Sequence, residues 1–510
     1  MIQYIPGLKT VLNAKKEESF NFEFALDEYL PSVAEIIKTS VKTEKCTLNR
    51  NGTVLSADLY VKICIIYLSD FNGKIKNAVL KKDIHIDTRL NEDIEDDCIC
   101  TFSHSIFSPM AKQVTTRKLS VSFLINGNFT VYQKTSTPVF CPDENSGICT
   151  LDRTLSVCEK SIYPEEQFDF SCDLTLDAGM PPASDVIFCD GVFSQVSCKH
   201  TEQGLEVNAT LTINALYEAA NQDSTTSSEY TTVSAAFPFT KTLESPLFED
   251  DPQTSLYLDV NCVEPSVSFD PYGENRVIAF NTKYSIGANI YKTNECCAVT
   301  DAFIEKCSCC TDTKVVNYES FLKPVYSKTT QSAEINGDFS YIQNISDTFC
   351  KIHSVNFEQN EGKLFAAVKC NLDILAQGND NKLIFPSHTC VLHVPVPETE
   401  FSDFEIIPEI FVSVPSCRTY LKDGKLYGDF DIVLDGAILR KNSVKVVEKV
   451  EKTEQENTPG NQSRIVIYYP PKDETVWDIA KKYSTNPAKL KKSNNLEGEE
   501  ITDKKFIIIP

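Results

Sequence analysis

The sequence predicts a mainly β chain, with three tandem antiparallel β domains followed by a small βααβ module. Two observations predict it. Long runs with an apolar residue at every second position occur three times, and their leading leucines, Leu55, Leu205 and Leu364, stand 150 and 159 residues apart. That interval is domain-sized, not the short period of a solenoid. In the last 47 residues, Arg464 to Pro510, two short helical patterns lie between two short β-rich runs. The chain's 510 residues are too many for one core and suit several domains.

The first domain is placed at 1–150. After L-P-S-V-A-E-I-I from Leu30 and an Asn51-Gly52 turn, Leu55, Ala57, Leu59, Val61, Ile63, Ile65 and Tyr67 alternate with mostly polar partners. Such alternation is the mark of a half-buried antiparallel strand, and its length calls for a bulge. The second domain, 151–310, repeats the order: M-P-P-A-S-D-V-I from Met180, a Gly204 turn, then Leu205, Val207, Ala209, Leu211, Ile213, Ala215 and Tyr217. The third, 311–444, has I-Q-N-I-S-D-T-F from Ile342, a Gly362 turn and a row from Leu364 to Ile374. Each copy ends on a second alternating strand, through Leu119–Val131, Ile278–Ile286 and Leu426–Ile438.

Residues 445–463 are charged, then rich in Pro, Gly, Asn and Ser. They predict an extended, mobile linker that decouples the final module, 464–510, from the β array. In that module Ile465 to Tyr469 form a β-rich run stopped by Pro470-Pro471. Thr475 and Asp478 have capping-box spacing, with Asp for the usual Glu. Val476, Ile479, Ala480 and Tyr483 make a helical stripe. Asn486-Pro487 is an N-cap with a first-turn proline, so a second helix starts there. Phe506 to Ile509 supply a closing strand.

The wording T-V-W-D-I-A-K-K-Y with N-P-A-K-L-K-K-S-N-N-L resembles a LysM domain. The resemblance implies binding to N-acetylglucosamine-containing glycans such as peptidoglycan, or in some members to a protein surface. By analogy the groove lies between Asp473, Glu474, Thr475 and Val476 on one side and Asn495, Leu496 and Ile501 on the other. The family's usual Gly-Asp-Thr reads Asp473-Glu474-Thr475 here. Joined to the three copies, strongest in L-P-S-V-A-E-I-I and N-G-T-V-L-S-A-D-L-Y-V-K-I-C-I-I-Y-L, the whole resembles the spore-coat proteins of the SipL type, whose repeat is the SPOCS domain. That resemblance implies a non-enzymatic adaptor in the cytoplasm of the sporulating mother cell, linking the assembling coat to the forespore surface through a coat morphogenetic ATPase. The alternative is a peptidoglycan-binding LysM protein anchored to cell wall or cortex.

The net charge of −23 is uneven. From Arg464 onward there are 9 basic and 7 acidic residues, net +2, which leaves 40 and 65, or −25, for residues 1–463. An acidic body repels phosphate backbones and argues against a nucleic-acid partner. The N-terminus lacks a basic region followed by an apolar run, so no signal peptide is expected. No run approaches 18 apolar residues, so no transmembrane segment is expected. Of the 20 cysteines, those lying singly in strand-like runs read as small buried hydrophobes, and in a reducing cytosol they stay as thiols. Cys296, Cys297, Cys307, Cys309 and Cys310 are the densest group. They are open to three readings: an S4 zinc or iron–sulfur site, oxidative cross-linking, or free thiols on a loop. His388 and Cys390 would share a strand face while His393 points away. No P-loop, G-x-S-x-G, H-E-x-x-H or dinucleotide fingerprint occurs, so neither an enzyme activity nor a cofactor is expected.

Overall fold

The computed structural model of the chain describes residues 4–71, 73–90, 98–143, 146–220, 230–397, 405–453, 466–472, 474–499, 501 and 506–510. It is mainly β, built from small antiparallel sheets. A first group of strands comprises β1 (Tyr4–Ala25), β2 (Val33–Asn51), β3 (Val54–Ser69), β4 (Ile75–Arg89), β5 (Ile99–Thr115) and β6 (Lys118–Pro138). It forms two sheets, β1-β6-β5 and β2-β3-β4. A second group repeats the pattern with β7 (Ile148–Thr175), β8 (Ala183–Thr201), β9 (Gly204–Ala219), β10 (Tyr230–Leu243), β11 (Gln253–Ser268) and β12 (Val277–Ile304). Its sheets are β11-β12-β7 and β10-β9-β8.

The third group runs through β13 (Cys309–Ile335), β14 (Ile342–Asn360), β15 (Lys363–Gly378), β16 (Leu383–Ile384), β17 (Ser387–Pro395), β18 (Ile406–Lys422) and β19 (Lys425–Lys452). One sheet is β13-β19-β18; in the other β15 pairs with β14, β16 and β17. Each group encloses its own apolar cluster between its two sheets. The alternating rows supply it: Leu55, Ala57, Val61, Ile63, Ile65 and Tyr67 on β3 are fully buried. Each large aliphatic side chain so buried contributes about 1.5–3 kcal/mol. Bulges fall beside the rows, on the neighbouring strands, at Thr43/Lys45 of β2, Ser194/Ser197 of β8 and Ile352/Ser354 of β14. Buried tyrosines are satisfied alike in two groups, Tyr67 donating to Pro31 O and Tyr217 to Pro181 O, both at 3.0 Å.

The groups meet around apolar junctions that draw corresponding positions from all three. Ile66 of β3, Leu216 of β9 and Leu375 of β15 share one buried cluster with Ile75, Ile187, Phe188 and Phe385. Lys38 enters this junction with a side chain only 4% exposed, bonds to Asp373 at 2.5 Å and lies over the Phe188 and Phe385 rings. A second junction gathers Ile5, Leu155, Val157, Cys296, Val316, Val444 and Val446.

One expectation needs correction. Residues 445–452 are not linker but the last stretch of β19, paired with β13 from Lys445↔Val315 to Lys452↔Cys309. Val446 and Val447 are buried there, so the charged alternation K-V-V-E-K-V-E-K is that of a strand with one wet face. The remainder of the expected linker, 454–463, lies outside the described residues.

Candidate functional site

The C-terminal segment has the order β20 (Val466–Tyr468), α1 (Val476–Lys482), α2 (Pro487–Asn494) and β21 (Ile507–Ile509), with β20 and β21 antiparallel. Thr475 starts α1 with a full capping box. Its hydroxyl accepts from the Asp478 N–H at 3.2 Å, and the Asp478 carboxylate accepts from the Thr475 N–H at 3.0 Å and hydroxyl at 2.6 Å. Those two bonds hold the Asp478 carboxyl below its usual range. Asn486 caps α2 through bonds from Ala488 N and Lys489 N. Val476, Ile479, Ala480, Leu490 and Ile507 fill the small core with no exposed surface.

The loop before α1 and the loop after α2 are joined by one backbone bond, in which the Val476 N–H donates to Glu499 O at 2.9 Å. Thr475 is half-buried, Asn495 exposed and in the left-handed region at φ 50°, and Leu496 and Ile501 half-buried against the core. Glu474 is half-buried and accepts the Tyr468 hydroxyl at 3.1 Å. Val476 differs from the rest: its side chain is wholly inside, so it packs the core instead of facing the groove. Asp473 lies outside the described residues. Sequence reasoning missed Asn494, which is buried and takes the place of a strand neighbour. Its side-chain NH₂ donates to Leu490 O and Ile508 O, and its side-chain oxygen accepts from Ile508 N. Its signal in the sequence is only the Asn494-Asn495 pair at the end of α2.

The segment does not stand apart from the β array, contrary to the decoupling expected of the linker. Trp477 packs on Phe303 with ring centroids 5.1 Å apart and donates its indole N–H to Asp301 at 2.9 Å. Lys481 reaches both Asp301 oxygens at 2.7 Å, and Lys489 pairs with Glu305 at 2.7 Å. The Lys306 N–H donates to Ser484 O at 3.0 Å. Burial alone would raise the Asp301 carboxyl, but the bonds from Lys481 and Trp477 bring it below its usual range. Docking thus runs from Trp477 and Lys481, one turn apart on α1, through the Ser484 carbonyl just beyond that helix to Lys489 on α2, and leaves Asn495 exposed.

The cysteine group of β12 and β13 is dispersed. Cys296 is buried in the second junction, Cys309 packs beside the C-terminal core, and Cys310 is exposed. Cys307 and Cys310 have C-x2-C spacing, yet among the described residues no three His, Cys, Asp or Glu side chains are placed to hold one metal ion. On β17, His388 and Cys390 face inward and His393 outward. Among the described residues no helix is long and apolar enough to cross a membrane. No protein-family model, curated protein or solved structure matches the chain.

Proposed function

We propose that the chain is a non-enzymatic binding adaptor, in which three tandem β domains form a scaffold that carries a LysM-type module. The observation that carries this reading is that the loops holding Thr475 and Asn495 are tied to one another and exposed at Asn495, while separate contacts from Trp477, Lys481 and Lys489 fix the module to the array. A module fixed in this way presents its groove in a set direction, as a tether needs. Fixed presentation also suits a protein partner better than an extended glycan strand, because a protein surface adds contacts outside the groove. In the resembled spore-coat proteins the partner is a coat morphogenetic ATPase at the forespore surface, reached from the mother-cell cytoplasm, and we assign the same role here. The rival reading, a wall or cortex anchor, rests on the same groove. Co-sedimentation of the full chain with purified peptidoglycan separates the two. Retention that is lost on Asn495→Ala and kept on Asn495→Gly, which preserves the left-handed turn, would favour the glycan anchor. A lytic band on peptidoglycan zymography would overturn the non-enzymatic reading.

A further inference from the structure

Twenty cysteines are spread along the chain, and all of them carry free thiols. Four of them nevertheless form a continuous row through the third strand group. Cys370 of β15 stands directly opposite Cys390 of β17. The Cys370 thiol neighbours those of Cys390 and Cys350, and the Cys350 thiol also neighbours that of Cys417, all four lying in one apolar core cluster. The row therefore begins on the β18 edge at Cys417, crosses to Cys350 on the β14 edge, and runs inward to Cys370 and Cys390. Cys370 and Cys390 are buried, whereas Cys350 and Cys417 are half-buried.

The outer pair sits where the two sheets of this group meet at their rims. One rung away, Thr348 of β14 and Thr419 of β18 are hydroxyl to hydroxyl at 2.5 Å. Thr348 and Cys350 share one strand face, as do Thr419 and Cys417. The rims of β14 and β18 are thus side by side over two successive rungs, with threonines on one and thiols on the next. At the matching place in the second group Gly191 lies against Val260 and Val263, so the sandwich itself does not require sulfur there.

We propose that Cys350 and Cys417 are a dithiol–disulfide site that locks the two sheets of the third group together under a hydroperoxide oxidant. Cys417, at the outer end of the row, loses its proton to solvent, and its sulfur attacks one peroxide oxygen. The O–O bond breaks, hydroxide leaves and takes up a proton, and Cys417 becomes a sulfenic acid. The Cys350 sulfur then attacks the Cys417 sulfur. The S–S bond forms, the S–O bond breaks, and the departing hydroxide takes the Cys350 proton. Two thiols and one hydrogen peroxide give one disulfide and two waters, the peroxide accepting two electrons. A dithiol reductant reverses the step by exchange.

The bond would close a loop from residue 350 to residue 417, long enough for a cross-link to restrict the unfolded chain strongly. Full-length protein is treated with hydrogen peroxide, alkylated and mapped by mass spectrometry with and without reduction. The expected result is a linked pair of peptides holding Cys350 and Cys417, lighter by about 2 Da than the two thiol peptides. That pair should vanish in both Cys350→Ser and Cys417→Ser. The oxidised wild type should also melt at a higher temperature than the reduced protein, a shift absent in Cys350→Ser. Sulfinic or sulfonic acid at Cys417 without the linked pair would overturn the proposal. So would oxidation confined to the exposed Cys141, Cys198 and Cys310.

Discussion

Replacing Asp301 with Ala should release the C-terminal segment from the β array, and the chain carries its own reporter. Trp477 is the only tryptophan, and its side chain is both buried and bonded to Asp301. Two losses add. The Asp301–Lys481 pair is 28% and 45% exposed on its two sides, so screening limits it to about 0.5 kcal/mol. The buried indole N–H loses a charged acceptor, which costs about 1.5 kcal/mol. Together about 2 kcal/mol is a shift of roughly 30-fold in the docking equilibrium. The Trp477 emission should move to the red and its quenching by added acrylamide should rise. The same change should come with acid. Because the docked Asp301 carboxyl lies below its ordinary range, its contribution is present above that range and is lost as the pH falls through the docked value. Emission should therefore hold steady from neutrality to mild acid and move only below the ordinary aspartate range. An unchanged Trp477 spectrum in a folded Asp301→Ala protein would refute the docking argument.

Two further outcomes concern the array. Lys38→Ala leaves Asp373 without its cation at the three-way junction. Removing one partner of a buried pair costs about 3–5 kcal/mol, but Asp373 is 37% exposed, so a loss of about 2 kcal/mol is expected in urea unfolding, and less for Lys38→Met, which keeps the packing. Burial pushes the Asp435 carboxyl up to about 6, only partly offset by the bond from Leu256 N. Its folded state binds the proton more tightly than the unfolded state, so stability falls as the pH rises from about 4 to about 6, by about 2–3 kcal/mol in order of magnitude. Asp435→Asn should flatten that slope and raise the denaturation midpoint at pH 7, with little effect at pH 4.

The sheets were legible because each strand has one dry face. Leu205, Val207, Leu211, Ile213 and Tyr217 alternate in the sequence and are buried in the structure. The junctions were harder to see because they bury the second face as well. Ile66, Leu216 and Leu375 stand on the faces opposite the alternating rows, yet each is almost fully buried. Their trace in the sequence is a local break in alternation, Ile65-Ile66-Tyr67, Ala215-Leu216-Tyr217 and Ile374-Leu375-Ala376, as in strands covered on both sides. Charge misled the reading at 445–452, where a strand with one wet face has the composition of a linker. In the C-terminal segment the caps at Thr475 and Asn486 were readable, since capping depends on neighbours three residues apart. The contact of Trp477 with Asp301 was not, because 176 residues separate them and no local pattern records such a meeting.

The adaptor account is tested most directly by titrating the full chain with the purified coat morphogenetic ATPase and measuring binding calorimetrically, with Asn495→Ala alongside. The account predicts saturable binding that the substitution weakens at least about 10-fold, a loss of about 1.4 kcal/mol. Equal binding by both proteins would remove the groove from the interaction, and no binding by the intact chain would contradict the account itself.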